Sequence, residues 1–290
     1  MPTVRNGPLV GLGAQLVLLG VLAGTVGVGA AGLLAGATYG VVTCVLLTRG
    51  LRRAGAARLG PADRVTLTRA VLVGAVTALT VDAFRRPAPV ALLVTLTAVA
   101  LLLDWVDGRV ARRTGTVSAL GARFDMEIDA FLLMVLCAYV APDAGAWVLT
   151  LGGMRYAFVA AGWALPWMRG TLPPRPWRKV VAATQGVVLA VAAAGLLPGW
   201  STRLLLAAAL VLLVESFGRD VLWLWRHRAS RTRPVVSPVP VATGAEAARA
   251  ASRRAPVGVT TARPPTPVGA LAARPPALVA GGAPTDRWLR

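Results

Sequence analysis

Four aspartates, Asp104, Asp107, Asp125 and Asp129, stand in the stretch "LLLDWVDGRVARRTGTVSALGARFDMEIDAFLLMVL" between two strongly apolar runs. With Glu127 they account for five of the chain's twelve acids. Asp104 and Asp107 are three residues apart and Asp125 and Asp129 four apart, so each pair falls on one face of a helix. Two such helices packed antiparallel would bring all four carboxylates to one level. Like charges gathered near low dielectric resist ionisation unless a cation neutralises them, and hard oxygen donors in this number suit Mg²⁺ or Mn²⁺ rather than zinc. One divalent ion or a pair resolves the repulsion, and such a site suits phosphoryl chemistry because metal ions bridge diphosphate oxygens and steady both the attacking and the leaving group. The intervening "DGRVARRTGTVSALG" supplies Gly108, Gly115 and Gly121 for close backbone approach and Arg112 and Arg113 as phosphate partners. It is expected to form a loop that cradles a nucleotide. A single intramembrane acid is as well explained by a helix-end residue reaching for water; four at these spacings are not.

The elements that must position these acids are membrane helices. Of the 290 residues 56% are hydrophobic and 15% charged, with mean hydropathy +0.65, against roughly 25% charged residues in a soluble domain. Apolar runs approaching the ~20 residues of a bilayer crossing recur from residue 8 to 225. They predict eight helices, at 9–28, 31–48, 64–82, 88–105, 121–141, 145–166, 179–198 and 202–225. The breaks at 49–64, 106–124 and 167–179 are rich in arginine, whereas 82–89, 142–145 and 198–202 are short and poor in it, apart from Arg85 and Arg86. The positive-inside rule then places the first set, both termini and the acids on the cytoplasmic side of the plasma membrane.

Several function classes fall away. Cys44 and Cys137 both lie in apolar runs, which leaves neither a disulfide framework nor a cysteine metal site, and the single histidine, His227, follows the last apolar run, so a Ser-His-Asp or Cys-His centre has no candidate within the membrane domain. The almost unbroken apolar sequence from 8 to 48 is too long for a secretory signal and reads as two crossing helices. The net charge of +19 does not mark a nucleic-acid binder: eleven arginines from Arg226 onward, against Glu246 and Asp286, sit in a tail with no aromatic residue before Trp288. Residues 229–290 hold ten of the 21 prolines, show no apolar periodicity and are expected to form a disordered cytoplasmic tail, a solvated spacer or an arginine-rich strip drawn to anionic headgroups.

The acids and their neighbours resemble the signature of the CDP-alcohol phosphatidyltransferase family, D-x2-D-G-x2-A-R-x8-G-x3-D-x3-D. Asp104, Asp107, Gly108, Ala111, Arg112, Gly121, Asp125 and Asp129 fill every specified position. The resemblance implies an all-α polytopic membrane protein with a six-helix core over 61–226, preceded by an N-terminal transmembrane hairpin at 1–50 and followed by the disordered tail at 227–290. It further implies two Mg²⁺ or Mn²⁺ ions held by Asp104, Asp107, Asp125 and Asp129, with Asp129 also the catalytic base that takes the proton of an acceptor hydroxyl. Gly108, Arg112, Ser118 and Gly121 would border the cytidine diphosphate of CDP-diacylglycerol or a similar CDP-linked lipid. Upstream, "PADRVTLTR" resembles the family's P-x-x-(hydrophobic)-T element, which adds Asp63 and Thr66 to the nucleotide pocket and leaves Arg69 as either a phosphate partner or a snorkelling helix-end residue. The implied reaction is phosphatidyl transfer to a small polar alcohol with release of CMP, in phospholipid biosynthesis, by a homodimer.

The acceptor is less well marked. Arg155 lies mid-helix, where a cation needs an anion, either Glu215 or a motif acid, or a phosphate on the acceptor or lipid. Arg169, Arg175, Arg178, Lys179 and Arg219 read either as positive-inside bias or as a basic rim that would favour a phosphorylated acceptor. Seven tryptophans, Trp147, Trp163, Trp167, Trp177, Trp200, Trp223 and Trp225, fall at predicted helix ends, as an interfacial belt requires. Two alternatives remain at this level. An ion-coupled transporter would scatter its acids near the midplane on broken helices, and an intramembrane prenyltransferase usually places its aspartate pairs in separate halves of the chain.

Overall fold

The computed structural model of the chain describes residues 6–54, 61–114, 119–170, 172–173 and 175–228, with backbone alone at 6, 54, 61–62, 107–114 and 119. Residues 229–290 of the tail expected to be disordered, Ser118, and the side chains of Asp107 and Arg112 therefore lie outside the described residues, and of Gly108 only the backbone is described. The rest is an all-α polytopic membrane protein, with no strand among the described residues. Eight helices follow one another: α1 Asn6–Thr25, α2 Ala30–Ala54, α3 Pro61–Ala83, α4 Val90–Thr114, α5 Ala119–Ala144, α6 Leu149–Ala164, α7 Pro176–Ala194 and α8 Gly199–Arg226, with 3-10 turns at Ala146–Val148 and Pro166–Arg169.

Local chemistry sets several of the ends. Gly27 turns the chain between α1 and α2 at φ 72°, a conformation that a Cβ disfavours. Pro176 opens α7, where its missing N–H would be unpaired in any case, and Gly195 closes it in the left-handed region at φ 63°. Leu165, held extended ahead of Pro166, ends α6.

The largest departure from the sequence expectation is α4. It continues past Asp104 to Thr114, so Asp107, Gly108 and Arg112 lie on a helix and only 115–118 separates it from α5. The loop expected over most of 106–120 is mainly helical because "VARR" is good helix-forming sequence that outweighs the single glycine. Gly121 likewise falls inside α5.

Among the described residues four helical stretches are long and apolar enough to cross a bilayer, Gly7–Thr25, Ala30–Arg53, Asp63–Ala83 and Pro176–Ala194, and Val90–Val106 of α4 is a further apolar stretch. The sequence predicts eight such stretches. α6 has only 16 residues.

At the centre is α3, which packs against α1, α2, α4 and α5. Its face-to-face burial leaves Val73, Ala75, Val76, Ala78 and Leu79 inaccessible, as expected of a helix apolar all round. The α1–α2 hairpin lies close against it through small residues: the Cα of Gly32 faces the Ala78 carbonyl, and Gly36 faces the carbonyl of Gly74. Asp82 of α3 accepts a hydrogen bond from the Gly29 amide just ahead of α2 (3.0 Å) and pairs with Arg86 Nη2 (3.0 Å). That pairing accounts for one of the two arginines that break the positive-inside pattern. On the other side α5 meets α6 and α7, and α4 meets α7. Gly152 of α6 lets the backbone of Met134 on α5 approach directly.

Candidate functional site

Three of the four signature acids converge. Asp104 on α4 and Asp125 and Asp129 on α5 each offer a carboxylate oxygen, all within 4.8 Å of one another. The four-residue spacing of Asp125 and Asp129 puts both on the face of α5 turned towards α3 and α4. Asp107 lies one turn beyond Asp104 on the same helix.

Between the three acids sits Arg69. Its side chain is 1% exposed, and the guanidinium bonds Asp104 Oδ1 through Nη1 (2.5 Å) and, through Nη2, Asp129 Oδ1 (3.0 Å) and Asp125 Oδ1. Nη2 also donates to the Asp125 carbonyl at 3.3 Å. The sequence offered this arginine two roles, phosphate partner or snorkelling residue; the second is excluded, because the group is buried and held by three carboxylates. Position explains why. Arg69 is the sole charged residue between Val65 and Val81, two turns inside a helix enclosed on all sides, so its charge reaches no water and takes the acids as partners. A cation demanded by the acids and supplied by the one charged residue of the apolar stretch 65–81 was a signal available in the sequence.

Thr66 is buried one turn before Arg69 on the same face of α3, and Asp63 lies in the first turn, half-buried. Both therefore lead from the helix start to the carboxylates. Gly121 stands one turn before Asp125 on α5. From the hairpin, Tyr39 of α2 stacks on Phe131, two residues beyond Asp129, with ring centroids 4.7 Å apart. Its hydroxyl neighbours Thr43 and lies within electrostatic reach of Arg69. Nothing in the motif marks Tyr39, since it comes from a different part of the chain.

Arg155 does find an anion, and it is neither Glu215 nor a signature acid: Nη2 pairs with Glu127 Oε1 at 2.5 Å. The Gly152–Met134 approach brings α6 near enough for this. The basic rim is largely engaged as well. Arg178 pairs with the buried Asp220 (Nε–Oδ2 2.8 Å) and donates to the Pro173 carbonyl (2.9 Å); Arg219 pairs with Glu215; Arg169 donates to the carbonyls of Gly162 (2.8 Å) and Trp163 (3.0 Å).

The oxygen set fits a divalent metal. Its donors are all hard carboxylates, and their 4.8 Å spread is only slightly wider than the ~4.2 Å spanned by two Mg–O bonds. Small side-chain rotations close the difference.

A family model described as CDP-alcohol phosphatidyltransferase matches residues 60–215, which includes α3, α4, α5 and every carboxylate of the cluster. No curated protein and no solved structure matches the chain. The family catalyses phosphatidyl-group transfer from a CDP-alcohol with a divalent metal, and the acids that converge on Arg69 lie in the matched segment. More than half of the chain is matched, and the protein belongs to the CDP-alcohol phosphatidyltransferase family.

Proposed function

We propose that the protein transfers a phosphatidyl group from CDP-diacylglycerol, or a closely related CDP-linked lipid, to a small polar alcohol in phospholipid biosynthesis, releasing CMP. The convergence of Asp104, Asp125 and Asp129, within 4.8 Å of one another inside the family-matched segment, carries this reading. In it Asp104, Asp107, Asp125 and Asp129 hold Mg²⁺ or Mn²⁺, one ion or two. When bound, the metal supplies positive charge to the diphosphate. Asp129 accepts the proton of the acceptor hydroxyl as that oxygen bonds to the phosphorus next to the lipid, and the bond from this phosphorus to the CMP oxygen breaks. Asp63, Thr66, Gly108, Arg112, Ser118 and Gly121 border the cytidine diphosphate; the burial of Thr66 one turn from Arg69 supports its place there.

We assign the catalytic domain to 61–226 and the hairpin to 1–50, in a homodimer of the plasma membrane with the termini and site on the cytoplasmic side. The arginines at the ends of α2 and α8 support that orientation. Arg155, Arg169, Arg178 and Arg219 are engaged by protein groups, so the preference for a phosphorylated acceptor rests on Arg175 and Lys179 of the basic rim. Purified protein in nanodiscs, given CDP-diacylglycerol, Mg²⁺ and a panel containing glycerol 3-phosphate, inositol phosphate and serine, should release CMP and form a new phospholipid, seen by mass spectrometry, with one or a few acceptors. Absence of CMP release across a broad panel of alcohols would refute the reading.

A further inference from the structure

We infer that Arg69 is an internal counter-cation that competes with the divalent metal for Asp104, Asp125 and Asp129, so that metal loading is held weak until a diphosphate arrives to take up the arginine's charge. The inference rests on the metal-site reading above and concerns how that site is filled.

The guanidinium engages one oxygen of each carboxylate. It is buried to 1% exposure, whereas the acids keep 43%, 32% and 39%. The acids are therefore reachable from outside while the arginine lies behind them, on the side of the core helix. A guanidinium and a divalent ion sharing the same three short carboxylates repel each other at close range, and in a half-buried site water screens that repulsion poorly. Either Arg69 yields its oxygens or the ion binds against its charge. Both cases make metal binding weaker than the three acids alone would give.

The arginine also has a donor left unpaired. Its Nε is buried with no hydrogen-bond partner, a costly state for a charged donor. A planar guanidinium with a spare donor matches the paired oxygens of a phosphate. A nucleotide diphosphate arriving at the exposed side of the carboxylates would offer Arg69 acceptors once the guanidinium turns from them, and remove its antagonism to the metal. By linkage, whatever lowers the hold of Arg69 on the acids raises metal affinity, and the reverse.

The test is Mn²⁺ binding to the purified full chain, followed by electron paramagnetic resonance with no turnover, with and without CDP. Without nucleotide, Arg69→Gln should bind Mn²⁺ roughly ten-fold more tightly than wild type. Arg69→Lys keeps the charge but cannot span three carboxylates, and should fall between them. CDP should tighten binding more in wild type than in either variant. An Arg69→Gln affinity equal to or weaker than wild type would overturn the inference. Should that variant fail to fold, Arg69→Lys decides: affinity no tighter than wild type, or an undiminished effect of CDP, has the same force. Asp125→Asn separates the two claims, since wild-type Mn²⁺ affinity in that variant would sink the metal site itself rather than the role of Arg69.

Discussion

Replacing Gly32 by alanine places a methyl group 2.5 Å from the Ala78 carbonyl oxygen, 2.8 Å from Val28 Cγ1 and 3.2 Å from Asp82 Cβ. The first of these is backbone of α3 and has no rotamer through which to escape, so α2 must move outward from the helix that carries Thr66 and Arg69. Overpacking of this kind costs about 1–3 kcal/mol. Against it, alanine in place of glycine in a helix gains at most ~1 kcal/mol, less here because Gly32 lies in the first turn of α2. The steric cost wins, for a net loss of about 1–2 kcal/mol. Gly20 in α1 has no atom within 4 Å of the added carbon, and Gly20→Ala should be neutral or stabilising by about 0.5–1 kcal/mol. Unfolding of both variants in mixed SDS–dodecyl maltoside micelles, read by tryptophan fluorescence, measures the difference. Equal stability of the two, or greater stability of Gly32→Ala, would refute the argument that the hairpin is clamped on α3 through backbone contact.

Asp129→Asn keeps the shape of the side chain but removes its proton-accepting charge, and should lower CMP release by about 10²–10⁴-fold without unfolding the protein; CDP-diacylglycerol turnover assays compare it with wild type. Asp220→Ala strands Arg178, which is 31% exposed and so partly recovers water, and should cost about 1–3 kcal/mol in the same unfolding measurement.

The sequence carried the fold class through composition, and the acids through their spacing. The eight helices lie where the apolar runs place them, with shifts at the ends. What failed was local: a glycine and a cluster of arginines at 108–113 looked like a loop, yet helix propensity and the i→i+4 bonding of α4 carry it to Thr114. Arg155 required an anion, correctly, but its partner Glu127 depends on how closely α5 and α6 approach, which Gly152 decides and which no spacing rule contains. Arg69 shows the same division. Its need for a partner follows from one charge in the apolar stretch 65–81 of α3, whereas its three partners follow from the way α3, α4 and α5 pack. Tyr39 was not legible, because stacking on Phe131 joins segments far apart in the chain.

The central claim is that Asp104, Asp125 and Asp129 jointly hold a divalent metal. Crystals grown with Mn²⁺ and CDP, measured at the manganese absorption edge, test it most directly. The account predicts an anomalous peak within coordination distance of all three carboxylates. Bound CDP with no such peak, or with manganese held elsewhere, would contradict it.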